Sequence, residues 1–328
     1  MKNRRDFANA LALALLSAPN LSGSQTVQRL PVVGALYPFL GIRTPIADGL
    51  ALSLRELGYI EGQNFTFENR FAPGKPELFP SLAAELVKLK VDLIFAVGPS
   101  AVKAAREQTS EIPIVAFDLE TDPVQAGWAR SLARPGGNLT GLFLDIPALA
   151  GKWIELLRSA APGIRLIGLL WDSTTGPAQL AAAKEAAQRF GIEVHVLAVR
   201  GSEGVAASLK AGMGAGIKAI AVLGSPELSR TPVIKLVTDV AVNNRLPTIS
   251  PFRAYAEHGG LMSYGVNQPD FYPRTGAFVA RILKGAKPAE LAIELPSKFE
   301  LVINLKAARA LGLTVPQSVL LRADEVIQ

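Results

Sequence analysis

The feature that most constrains this chain is its rhythm. From Leu30 onward, short β-rich apolar runs alternate with longer helical patterns. Parallel strands can be joined only through a long crossover, usually a helix, so this alternation specifies parallel sheets wrapped by helices. Strands are expected at Pro31–Tyr37, Asn64–Phe71, Asp92–Val97 and Ile114–Asp118, with helices at Thr44–Tyr59, Phe79–Lys90 and Ser100–Gln108 between them. A turn-rich break, Arg134-Pro-Gly-Gly-Asn-Leu-Thr-Gly141, then interrupts the pattern. It restarts with a helix at Ala148–Ala161 and strands at Arg165–Trp171, Glu193–Val199, Ala219–Leu223 and Thr248–Ser250, separated by helices at Ala178–Phe190, Val205–Met213 and Pro232–Asn243. The closing elements are a strand at Leu261–Val266, a helix at Phe271–Lys284, a strand at Phe299–Asn304 and a helix at Leu305–Leu311.

Two successive sets with one grammar predict an α/β protein of two doubly wound parallel-sheet lobes joined by a multi-strand hinge. At 328 residues and 49% hydrophobic, the chain has material for two ordinary cores. The expected division is 30–143 plus 262–296 for lobe 1 and 144–261 plus 297–328 for lobe 2, with crossings near Thr140–Asp145, Gly260–Gly265 and Leu295–Phe299.

The first residues read as an address. Met1–Arg5 is basic, Phe7–Leu16 apolar and Ser17–Ser24 small and polar, the order of an export signal over 1–24. The apolar run is too short to span a bilayer. Arg4-Arg5-Asp6-Phe7 admits a twin-arginine route as well as the general secretory one, and either leads to the periplasm.

Several chemistries are excluded. The chain has no cysteine, so disulfides, thiolate metal sites and thiol nucleophiles are out, and its only histidines are His195 and His258, which leaves no His-rich metal centre. The formal charge of +6 falls to +4 without the leader, and the basic residues stand singly, so no nucleic-acid surface is indicated. Gly212-Met-Gly-Ala-Gly216 follows a helix and precedes a strand, the reverse of a dinucleotide loop. No nucleophile elbow or phosphate-binding loop is present. No catalytic residue, metal or cofactor is therefore expected.

The informative residues lie where strands run into loops, because open parallel sheets bind ligands beyond their carboxyl ends. Ser100, in Gly98-Pro99-Ser100-Ala101, is placed to cap a helix whose first amides could also hold an anion. Asp118, Glu120 and Asp122 alternate after a strand, but Pro123 and Ala129 replace the glycine and glutamate of a calcium loop. Those carboxylates either face a cleft, where they would meet a cationic amine, or cap the turn at Pro123. Tyr37 and Trp171 hold equivalent positions in the two lobes and are either pocket wall or core.

Leu57-Gly-Tyr-Ile-Glu-Gly-Gln-Asn64, Ala133-Arg-Pro-Gly-Gly-Asn-Leu-Thr-Gly141, Gly260-Leu-Met-Ser-Tyr-Gly265 and Pro296-Ser-Lys-Phe-Glu-Leu-Val-Ile-Asn-Leu305 together resemble the ABC-transporter substrate-binding protein family, as do Ala310–Pro316 and Leu321–Val326. Its characterised branch includes tryptophan- and tyrosine-binding proteins. The resemblance implies the type I periplasmic-binding fold, a monomer, and delivery of a small molecule to an ABC permease. It also implies a cleft lined by Tyr37, Gly98, Pro99, Ser100, Ala101, Asp118, Glu120, Asp122, Trp171, Ser173, Thr174, Ser225, Glu227 and Ser250. Relatives commonly carry small uncharged residues where this chain has Asp118-Leu-Glu-Thr121, so the ligand's identity does not transfer from them, and an amino acid or related carboxylate is the leading class. A ligand-sensing receptor or an enzyme on the same fold are the competing readings.

Overall fold

The computed structural model describes residues 29–39, 41 and 44–328, and the side chains within that span apart from 268–270. The expected export signal lies outside the described residues. Pro31–Gln328 forms one compact unit.

The first sheet holds β1 (Val32–Tyr37), β2 (Thr66–Phe71), β3 (Leu93–Val97), β4 (Ile114–Asp118) and β5 (Leu139–Phe143), all parallel, in the order β2-β1-β3-β4-β5. Every residue of β3 and β4 is buried, as both-face coverage by helices requires. The helices are α1 (Pro45–Glu56), α2 (Phe79–Lys88) and α3 (Pro99–Gln108). Thr44 caps α1 by accepting the amide of Ala47, Pro45 fills the first position, and Ile46, Leu50 and Leu54 make the buried face.

The second lobe contains α4 (Ala150–Ala160), β6 (Leu166–Asp172), α5 (Ala178–Arg189), β7 (Glu193–Val199), α6 (Val205–Gly214), β8 (Ile220–Val222), α7 (Thr231–Asn243), β9 (Thr248–Ser250), α8 (Arg253–Glu257) and β10 (Met262–Val266). After α9 (Gln268–Leu283) come β11 (Phe299–Asn304), α10 (Leu305–Leu311), α11 (Gln317–Leu320) and β12 (Glu325–Ile327). The sheet order is β12-β11-β10-β9-β8-β6-β7, with β10 and β11 antiparallel.

Two expectations are corrected. The supposed break contains β5, whose Gly141 adopts φ +132° and packs so closely on β4 that a Cβ there would stand 2.2 Å from the carbonyl oxygen of Ala116. The segment 262–266, assigned by sequence to lobe 1, is β10, paired with β9 and β11 in the second sheet. The excursion into lobe 1 is α9, which lies along α1 with Tyr272 against Gly49 and Phe271 and Tyr272 against Phe117. Glu294 then runs beside β5, bonding Gly141 and Phe143, before the chain returns to β11. The chain therefore changes sheets between β5 and α4, between β10 and α9, and between Glu294 and β11. One apolar cluster, including Leu142, Leu144, Ile146 and Leu149, continues through the first crossing into both lobes.

Candidate functional site

A cavity of about 340 Å³ separates the carboxyl ends of β1, β3 and β4 from the loops after β8 and β9. That volume falls within the ~300–1,000 Å³ of small-molecule sites. Lobe 1 supplies Phe39, Thr44, Phe117 and Tyr272, and lobe 2 supplies Arg230, Thr231 and Phe252. Phe117 and Tyr272 hold each other with ring centroids 5.6 Å apart, so the aromatic wall is fixed in advance of any ligand. Arg230 is the one charged side chain among the described lining residues. The first turns of α1 and α7 open onto the same space and add partial positive charge from each side. The cavity therefore offers an apolar, ring-lined body and an anion-attracting end.

A second compartment of about 20 Å³ shares Val97 and Pro226 with the first. Its lobe 1 wall includes Gly98, Pro99, Ser100 and Ala101, and its lobe 2 wall Asp172, Thr174, Thr175 and Glu227. Gly98 occupies the cap of α3 with φ +87°, a conformation that glycine adopts without strain, which places Ser100 at the second helical residue rather than at the cap expected from the sequence. The acids opposite α3 make this compartment cation-seeking, against the expected anion site. Asp172 has partners on both oxygens: Oδ1 accepts from the amides of Thr174 and Gly201 and the Thr174 hydroxyl, and Oδ2 accepts from Ser225 at 2.6 Å. Glu227, 4% exposed, accepts from Arg230 at 3.1 Å through Oε2, while its buried Oε1 has no partner.

The remaining expected residues are drawn away from the cavity. Tyr37 lies under α1, stacked on Phe71 and edge-on to Phe95, and burial, then Glu61, raises its hydroxyl pKa. Asp118 is fully buried and folds back on its own turn, Oδ1 accepting the amides of Glu120 and Thr121 and Oδ2 the Thr121 hydroxyl. Burial raises its pKa against those donors. Asp122 is exposed and caps the amides of Val124 and Gln125. Glu120 crosses to lobe 2, where its Oε1 accepts from Nε2 of Gln179 at 2.6 Å. Burial pushes its carboxyl up to about 7, opposed by Gln179, Thr175 and the Ala178 amide and aided by Asp118. Trp171 donates to the carbonyl of Gly176, and Ser173 to that of Val199. Ser225 is buried beneath Asp172 and Ser250 accepts the amide of Phe252, so both shape loops instead of lining the space.

Sequence reading singled out the Tyr37-Pro38-Phe39 turn, of which Phe39 lines the cavity, and passed over Thr44, Phe117, Tyr272, Arg230 and Phe252. The usable signal was a phenylalanine at or just beyond a strand end in each lobe, and an arginine immediately before Thr231-Pro232 at a helix start.

At the outer rim Arg200 Nη2 bonds both oxygens of Glu77 at 2.8 and 2.9 Å, and Gly201 faces Gly74 closely enough that a Cβ would stand 3.5 Å from its Cα. The backbone amide of Glu77 and the Arg200 guanidinium hold that carboxyl below its ordinary value. The two lobes are thus in contact on both sides of the cavity.

A family model described as ABC transporter substrate binding protein matches residues 42–327. A tyrosine-binding protein of Clostridioides difficile (strain R20291) is 26% identical over 273 residues, 81% of this chain and 76% of that protein. Among solved structures, an ABC domain from Streptococcus pneumonia in complex with L-Trp superposes with TM-score 0.77 at 28% identity, over 91% of this chain and all of that one. A conserved domain protein of Vibrio cholerae O1 biovar eltor str. N16961 gives TM-score 0.78 at 26% identity over the same shares. More distant periplasmic binding proteins share the fold, which is the type I periplasmic-binding fold.

Proposed function

Because the chain belongs to the ABC transporter substrate-binding protein family, we propose that its ligand is an aromatic or branched amino acid, captured between the lobes and passed unchanged to an ABC permease. The observation that carries this reading is the cavity itself, which joins aromatic walls from both lobes to Arg230 and two helix starts. An aromatic body fits the wall of Phe39, Phe117, Tyr272 and Phe252, and a carboxylate fits the positive end. The tyrosine- and tryptophan-binding relatives support the same ligand class.

The protein works outside the cytoplasm, in the periplasm, a reading supported by the basic, apolar and small-residue order of residues 1–24. Among the described residues no helix is long and apolar enough to cross a membrane. The lobes open and close about the three crossings, lobe 1 being 31–143 with 268–294 and lobe 2 the remainder. Ligand stabilises the closed form because only there can Arg230 and the lobe 1 aromatics touch it together.

The deciding experiment is mass spectrometry of small molecules released from protein purified without refolding, followed by calorimetry with the compound found. Recovery of an aromatic or branched amino acid that binds one to one supports the reading. Recovery of a sugar, a nucleoside or a product formed by turnover overturns it.

A further inference from the structure

We propose that Glu227 is the residue that recognises the ligand's α-ammonium group, and so separates amino acids from carboxylates of the same shape. This rests on the amino-acid reading above and deepens it.

The argument starts from an oxygen left alone. Buried polar atoms almost always find hydrogen-bond partners, and a buried carboxylate oxygen without one is costly. Glu227 Oε1 is such an atom, on a side chain that lines the small compartment. The other acid there, Asp172, already accepts four hydrogen bonds, three through Oδ1 and one through Oδ2, so both of its oxygens have partners. At about 20 Å³ the compartment has room for a group the size of a water or an ammonium.

Placement supplies the second half. The two charges of an α-amino acid sit on a single tetrahedral carbon, so whatever binds them must stand side by side. Glu227 and Arg230 do, with Oε2 3.1 Å from Nη1. Arg230 faces the large cavity and Glu227 the small one, with Pro226 common to both. A ligand whose carboxylate meets Arg230 directs its ammonium past Pro226 to Glu227 and leaves its side chain among the rings. The loop is built to hold this arrangement: the Ser225 hydroxyl accepts the amides of Glu227 and Leu228, and Tyr255 donates to the carbonyl of Leu228.

The test is calorimetry with L-tryptophan, L-tyrosine and the corresponding amine-free propionates, on the wild type and on Glu227→Gln. Loss of a charge-assisted hydrogen bond corresponds to roughly 10- to 100-fold in affinity. The wild type should prefer each amino acid over its propionate by that factor, and Glu227→Gln should erase that preference. Equal wild-type affinity for the members of a pair overturns the proposal without any variant, so a misfolded Glu227→Gln cannot shelter it. A retained preference in a folded Glu227→Gln overturns it too. Wild-type protein that binds neither member of either pair overturns the aromatic form of the amino-acid reading, and this inference with it.

Discussion

Gln179 donates a 2.6 Å hydrogen bond to Glu120 across the lobe boundary, one residue from where Leu119 accepts the amide of Ile146 in the first crossing. Gln179 is fully buried and also exchanges two bonds with the backbone of Gly224, so it ties the crossing to the loop after β8.

The burial of Glu120 at this contact, which Gln179 only partly offsets, makes stability depend on pH. Burial raises Glu120 from 4.5 to about 7, so the folded protein holds a proton that the unfolded chain releases. The contribution is fully present below about 4.5 and is lost as pH rises through about 7, on the order of 3 kcal/mol. Glu120→Gln keeps the shape and cannot ionise. It should be more stable than wild type above about pH 7.5, with the gap closing below about pH 5, in thermal melts across that range.

Arg230 is expected to carry the carboxylate. Arg230→Gln should weaken an aromatic amino acid by roughly 10- to 100-fold and leave the uncharged amide of that amino acid far less affected. Calorimetry on both ligands reads the difference, with a melting curve to check that Glu227 tolerates the loss of its partner.

Asp122 and Tyr37 lie outside the cavity although one follows a strand and the other ends one. Asp122→Asn should leave affinity within about twofold, since the residue is exposed and bonds only its own turn, and Tyr37→Phe should do the same, since its ring packs on Phe71 and Phe95 outside the cavity lining. A larger loss for either by calorimetry would return it to the site.

The rim pair closes the cleft from outside. Arg200→Ala should shift the ligand-free population toward open forms, raising the radius of gyration in solution scattering, and high salt should produce the same shift in wild type while leaving the variant unmoved.

Gly141 fixes β5 to β4. Gly141→Ala forces a Cβ into the Ala116 carbonyl at a φ that side chains avoid, and should destabilise the protein by about 2–4 kcal/mol in chemical denaturation.

Most of the architecture was legible because buried parallel strands such as Leu93–Val97 read as unbroken apolar runs between amphipathic helices. β5 escaped notice because Thr140-Gly141 after Pro-Gly-Gly looks like turn chemistry, and only the close approach to Ala116 explains that glycine. Nothing in the order of residues says which sheet Met262–Val266 joins, since its partners β9 and β11 are chosen in three dimensions. In the candidate site, several of the expected side chains lie away from the cavity. Asp118 and Asp122 bond their own turns, a local choice open to any aspartate after a strand. Arg230 and Tyr272 come from a helix cap and a helix borrowed from late in the chain, neither marked by a strand end.

That borrowed helix has a consequence for how the molecule is made. β1 to β5 and α1 are complete by residue 143, yet the face of α1 bearing Gly49 and Ser53 is covered only when Tyr272 and Gly276 arrive, after synthesis has passed through the second lobe as far as β10. The first lobe cannot finish as it emerges. Its closing contacts join residues more than two hundred positions apart, the kind of non-local pairing that slows folding and leaves apolar surface waiting. A fragment ending at Phe143 would contain every strand of one sheet and still lack its roof.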